Sequence, residues 1–118
     1  MIASTPEPPY YAVIFTSVRT DVEEGYGQTA EHMMRLAAER PGFLGVESAR
    51  SDGLGITVSY WASLEAIRAW KQVGEHLAAQ RAGREKWYRA YTTRVCKVEY
   101  DYSYSVVLRG DENAMRTR

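Results

Sequence analysis

The chain has 118 residues, 45% of them hydrophobic and 25% charged, enough for one domain with one sizeable core and too few for two. Fifteen Lys and Arg balance fifteen Asp and Glu, for a formal net charge of zero. With no run of Lys or Arg, neither nucleic acid nor an anionic membrane is expected as a partner.

No stretch approaches the roughly 20 apolar residues of a membrane span. The opening MIASTPEPPYY has neither the basic nor the apolar region of a leader, so a cytoplasmic protein is expected. One cysteine, Cys96, rules out an internal disulfide and reads as a buried, inert thiol. Nine tyrosines and three tryptophans are the compositional oddity.

Residues 1–9 hold three prolines and read as a loose arm. YYAVIFTSVR, Tyr10 to Arg19, is rich in β-branched and aromatic residues and predicts a strand covered on both faces. In the next segment Asp21 and Glu24 have the spacing of a capping box. Val22, Tyr26, Thr29, Met33 and Leu36 follow as a helical stripe that Pro41 and Gly42 close. Gly25 and Gly27 are unfavourable inside that helix, so they either delay its start or bring its backbone close to something.

FLGVESARSDGLGITVSYW predicts two strands about an Asp52-Gly53 turn. Ile56, Val58 and Tyr60 take one face of the second strand; Thr57, Ser59 and Trp61 take the other. Ser63 is a good N-cap for a helix whose inward arc is Leu64, Ile67, Trp70, Val73, Gly74 and Leu77. A break at Gly83 and a short turn carrying Trp87 and Tyr88 follow, then a last strand from near Tyr91 to Leu108. Residues 109–118 read as a polar tail.

The order β-α-β-β-α-β is the α+β, ferredoxin-like arrangement, an antiparallel sheet with both helices on one face. The domain spans 10–108. Its other face is left uncovered and is not uniformly polar, which marks a partner surface. VCKVEYDYSYSVVL alternates apolar and polar residues over a length of roughly 45 Å, in a domain expected to be only about 35 Å across. A homodimer with exchanged C-terminal strands accommodates both features. The plainer reading is a strand that breaks near Asp101 and folds back.

No P-loop, dinucleotide-binding glycine pattern, Gly-x-Ser-x-Gly or His-Glu-x-x-His occurs. Two histidines and one cysteine are too few for a three-ligand transition-metal site, so no metal is expected. What remains is an aromatic-lined cavity with a few polar groups, a description that fits a small-molecule pocket and an ordinary core almost equally.

VIFTSVRT, PGFLGVESAR, GITVSYWASLEAIRAWK, EHLAAQ and GREKWYRAYTTRV together resemble the antibiotic biosynthesis monooxygenase family over roughly residues 10–102. Ser-Tyr-Trp-x-Ser-x-Glu-Ala-Ile-x-x-Trp is the most specific part. The resemblance implies a ferredoxin-like dimer whose paired sheets form an α+β barrel. It also implies one of two chemistries. Some members oxidise polycyclic phenols to quinones with O2 and no cofactor, the substrate's own enolate reducing O2 inside a dry aromatic cavity. Others degrade haem, using an Asn on the first strand, a Trp on the second helix and a His as iron ligand about ten residues later. Trp70 stands at the Trp position, but Gln80 stands where the His is expected and the first strand has no Asn. No cofactor is therefore expected, and haem is disfavoured.

The candidate catalytic residues are His76 and Trp70. An imidazole suits proton abstraction at neutral pH. Yet on one continuous helix His76 lies about 120° from Trp70, and a solvated helix histidine is the plainer reading. Tyr60, Trp61, Trp87 and Tyr88 are candidates for lining the pocket, or else for core and interface packing. Arg84 offers a grip for an anionic substrate, or is an ordinary surface arginine. The expected function is a cofactor-independent oxygenase acting on a small aromatic or phenolic compound. Alternatives are a haem-binding or haem-degrading protein with altered ligands, and a non-catalytic dimeric small-molecule-binding module.

Overall fold

The computed structural model describes residues 2–106. The end of the expected last strand and the polar tail lie outside them. Its elements are β1 (Tyr10–Arg19), α1 (Tyr26–Ala38), β2 (Phe43–Ser51), β3 (Leu54–Trp61), α2 (Leu64–Lys71), α3 (Gly74–Ala82), a π-helical turn (Gly83–Trp87) and β4 (Tyr88–Val98). The strands form one antiparallel sheet in the order β2-β3-β1-β4. This is the expected ferredoxin-like α+β fold. The most apolar strand, β1, sits between β3 and β4, where both its edges are paired.

Alternation along the strands sorts the residues. Tyr11, Val13 and Trp61 face the helices and pack with Ala37, Ile67 and Trp70 in the core. Ile14, Val18, Ile56, Val58, Cys96 and Val98 fall on the other side, which carries no helix. Ile56 there is 45% exposed. One sheet and one helical layer make a particle of 49 × 32 × 21 Å. Cys96, expected to be buried, is exposed because no helix lies on its face and the N-terminal arm covers only the part around Tyr10, Glu47 and Tyr60.

The helix starts late. α1 opens at Tyr26 with Gly25 in the left-handed conformation, φ 79, at its N-cap. Asp21 and Glu24 form no capping box because the segment before the helix is engaged elsewhere. Thr20 donates its backbone N–H to the Trp87 carbonyl at 2.9 Å, and Trp87 Nε1 donates to the Glu24 carbonyl at 3.0 Å. Val22 is left exposed outside the helix. A Cβ on Gly25 would stand 3.4 Å from the Trp87 ring, so this glycine both delays the helix and admits a close approach.

The second helix is two helices. α2 is capped by Ser63, whose Oγ accepts from the Ala66 N–H at 3.1 Å. It ends at Lys71; Val73 is extended (φ −64, ψ 125), and α3 restarts at Gly74. β-branched Val73 packs on the core and Gly74 is a weak helix former, so the chain breaks there. α3 buries none of its residues, and Leu77, expected inward, is 47% exposed. Gly83 is no break: α3 runs directly into the π turn, where a Cβ on Gly83 would meet the Tyr88 ring at 2.8 Å.

β4 starts at Tyr88, earlier than the expected Tyr91, with a bulge opposite Val18 and Arg19. It stops at Val98, well short of Leu108, because Val98 already pairs with Tyr10, the first residue of β1. Beyond Tyr10 lies the proline-bearing arm, which offers no regular partner. Residues 99–106 continue without strand pairing apart from one isolated bridge at Ser103. Tyr100, Tyr102 and Tyr104 are 64%, 68% and 72% exposed, while Tyr10 Oη donates to Asp101 Oδ2 at 2.6 Å.

Two glycines separate strain from packing. Gly42 has φ +88, and a Cβ there would lie 2.6 Å from the Ala66 Cβ; Gly53 has φ +82 and nothing within 4 Å. Gly42→Ala should cost about 2–4 kcal/mol in urea denaturation, from left-handed strain plus overpacking. Gly53→Ala should cost about 1 kcal/mol, from strain alone. Equal losses would show that the α2 contact contributes nothing.

Candidate functional site

Between the sheet and the helices lies a cavity of about 490 Å³, floored by Val13, Phe15 and Trp61 and roofed by α1, α2 and α3. At one end Trp61, fully buried, stacks on Trp70 with ring centroids 6.2 Å apart, and Phe43 meets it edge-on. Trp61 Nε1 donates to Ser59 Oγ at 2.9 Å, so its burial leaves no donor unpaired. His76 continues the stack, 4.6 Å from Trp70 at an interplanar angle of 14°. The break after α2 turns α3 so that His76 lies over Trp70 and lines the cavity, correcting the 120° offset expected of one continuous helix.

His76 Nδ1 lies 3.2 Å from the Trp70 carbonyl oxygen. A carbonyl only accepts, so the hydrogen bond assigns the proton to Nδ1 and leaves Nε2 with its lone pair. Burial lowers the pKa of His76 below the ordinary 6.5; the hydrogen bond to Trp70 opposes this and nearby Lys71 reinforces it. At neutral pH the ring is an uncharged base.

Phe15, Tyr26, Trp87, Tyr88 and Tyr91 form the cavity's other end. Tyr26 stands edge-on to both Trp87 and Tyr88, and Arg19 lies 3.4 Å over the Tyr26 ring. Tyr88 Oη donates to Tyr26 Oη at 3.4 Å. Burial pushes the Tyr88 phenol well above its ordinary range, only partly offset by Arg50 and Arg19, so it remains protonated.

The cavity therefore brings together His76, Trp70, Trp61, Trp87 and Tyr88 of the expected residues. Tyr60 and Arg84 are not among its walls. Tyr60 precedes Trp61 on β3 and must face the opposite side. There it donates to Glu47 Oε1 at 2.7 Å, and burial with that carboxylate pushes its pKa up to about 12. Arg84 lies at the surface of the π turn and donates to Tyr91 Oη at 3.3 Å. Gln80 does line the cavity. Sequence reasoning missed Arg50, Tyr26 and Tyr91. The helical stripe contained Tyr26, but only the strand register points Arg50 and Tyr91 inward, opposite Gly55 and Ser17. Among the described residues no group of three or more His, Cys, Asp or Glu is placed to hold a metal ion, and no helix is long and apolar enough to cross a membrane.

The model of the antibiotic biosynthesis monooxygenase family matches residues 9–82. The chain belongs to that family. It is 59% identical over 99 residues to YqjZ of Bacillus subtilis, an uncharacterized protein, covering 83% of this chain and 87% of that one. Solved structures share the fold at much lower identity. Rv0793 of Mycobacterium tuberculosis superposes with a TM-score of 0.70 at 15% identity, over 80% of this chain and 99% of its own. SnoaB, a cofactor-independent oxygenase from Streptomyces nogalater, does so with a TM-score of 0.64 at 13% identity, over 81% and 97%.

The buried imidazole gives a stability signature with a definite sign. Folded His76 binds its proton more weakly than the unfolded chain does. Below about pH 6.5 the unfolded state therefore takes up more protons, and stability falls as pH drops through the depressed folded value. In His76→Gln the decline between pH 7 and 5, measured by urea denaturation, should be shallower than in the wild type. Parallel curves would mean that the ring is solvated.

Proposed function

We propose that this family member is a cofactor-independent oxygenase that oxidises a small aromatic or phenolic compound with O2. The observation that carries the reading is an imidazole with its free Nε2 in an aromatic, largely apolar cavity. In the proposed reaction His76 Nε2 removes a proton from an acidified C–H or O–H of the bound ring system. The resulting enolate gives electrons to O2. For a ring methylene the balance closes with a single molecule of O2: one oxygen atom becomes the ring carbonyl, and the other leaves as water with the two methylene hydrogens. Trp70 and Trp61 hold the planar substrate and exclude water, and Tyr88 and Trp87 close the other end. Tyr60 and Arg84 have no part in it.

The residues present do not fit haem. The position expected to supply the iron ligand carries Gln80, which lines the cavity, and the first strand has no Asn.

The active form in this reading is a homodimer. The face bearing Ile56 and Val58 would pack against its copy, and the exposed Tyr100, Tyr102 and Tyr104, on a segment that Asp101 ties to its own Tyr10, would add to the contact. The chain's single cysteine, Cys96, forms no disulfide, which suits a reducing compartment, and we place the protein in the cytoplasm.

Oxygen uptake with a panel of polycyclic phenols, followed together with quinone absorbance, tests the chemistry. His76→Gln should lower kcat by about 10²–10⁴-fold, as for loss of a general base. The acid limb of the wild-type profile should lie below pH 6.5, rising with pH as Nε2 loses its proton. Quinone formation unaffected by the substitution removes His76 as the base; none from the wild type favours a binding module. Added hemin should give no sharp Soret shift. In sedimentation the wild type should run as a dimer at micromolar concentration, and Ile56→Lys should dissociate it; a wild-type monomer overturns the assembly.

A further inference from the structure

The chain as a whole is neutral, but the cavity is not. Two cations, Arg50 and Lys71, line it together with His76, and no Asp or Glu does. Arg50 is the better placed of the two. Its Nη2 donates to Ser17 Oγ at 2.6 Å and its Nη1 to the Gly53 carbonyl at 2.7 Å. Ser17 is only 1% exposed, so an exposed arginine is anchored through a buried hydroxyl. Gly55 makes the room: a Cβ there would stand 2.3 Å from the guanidinium. These bonds use two of the five N–H donors, and no carboxylate lies within ion-pair distance of Arg50 among the described residues. Its field reaches the Tyr88 phenol, which also lines the cavity.

We propose that the substrate is an anion, a planar aromatic body bearing a carboxylate, and that Arg50 receives that carboxylate at the cavity rim. The assignment rests on the cavity's being the site for a small aromatic molecule, and it deepens that reading by naming the charge and its receptor. Register sets the arrangement along the floor. Ser17 and Gly55 pair at one end of β1, whereas Trp61 pairs with Tyr11 six residues away, about 20 Å along the strand. A substrate held by its acid group at Arg50 extends its ring system toward the Trp70–His76 end.

Quenching of tryptophan fluorescence by 2-naphthoate and by its neutral analogue 2-naphthamide tests this without any turnover. The wild type should bind the carboxylate at least about tenfold more tightly, as for one charge-assisted fork. The ratio should shrink as ionic strength rises. In Arg50→Met it should collapse to near one while 2-naphthamide binds as before; Lys71→Gln should retain it. Arg50→Lys keeps the charge without the planar fork and should lose about threefold of the ratio, so it decides the matter should the methionine variant not fold. Equal binding of the two probes by the wild type overturns the assignment, as does a preference that survives both Arg50 substitutions or follows Lys71. Oxidation of neutral phenols without a carboxylate preference would leave the oxygenase standing and this assignment refuted. A preference that depends on Arg50 in a protein that oxidises nothing would do the reverse, and failure of both probes to bind removes both.

Discussion

The arrangement of the cavity depends on the burial of Trp61. The side chain is completely enclosed, and at 150–250 Å² of buried surface its transfer from water contributes about 4–6 kcal/mol as an upper figure. It sits at the last position of β3, immediately before the turn into α2. Ile67 and Trp70 close over it, so α2 has one docking position. Its indole N–H is satisfied two residues away by Ser59, which keeps the burial from leaving an unmet donor. The same alternation that turns Trp61 inward turns Tyr60 outward, to Glu47. Two adjacent aromatics therefore serve opposite faces of the sheet.

From that fixed point the chain makes its most consequential departure from regularity. A continuous helix from Leu64 onward would carry Leu77 inward and His76 away from Trp70. Instead Val73 packs on the core in an extended conformation, and a new helix begins at Gly74. The price is a weakly held α3, with no buried residue and a largely exposed Leu77. In return His76 lies flat on Trp70, with Nδ1 tied to the carbonyl of the same residue. The ring's position and its tautomer thus follow from one residue, which is a compact way to hold a base.

The fold was legible in the sequence because it rests on strong local signals: β-branched runs, an Asp-Gly turn, a Ser N-cap and apolar periodicity. The departures arose where tertiary contacts overrode those signals. Asp21 and Glu24 have capping-box spacing, yet Trp87 claims the backbone around them. Tyr100, Tyr102 and Tyr104 alternate like strand residues, yet a strand needs a partner and β1 ends at Tyr10. Trp70 and Trp61 were legible as inward-facing residues because they are large and inward by period, and both line the cavity. Arg50 was not. Nothing local distinguishes it from Arg84, and only the pairing opposite Gly55, with Ser17 beyond, directs it to the cavity.

The charge on the cavity walls bears on the chemistry as well as on recognition. Removing a proton from a bound substrate inside an aromatic enclosure creates an anion with little water to solvate it, a cost that grows with burial. In the proposed reaction the neutral imidazole would become a cation stacked on Trp70, next to the anion it makes. Fixed cations at the rim lower the cost further; at an effective dielectric near 20 and the roughly 20 Å between Arg50's end of the floor and the Trp70–His76 end, one such charge contributes about 0.8 kcal/mol. A carboxylate lining the same walls would oppose the step by a similar amount, and none does. A balanced chain has thus kept its acidic groups off these walls, and in the proposed reaction both the carboxylate and the developing enolate would meet a field of the favourable sign.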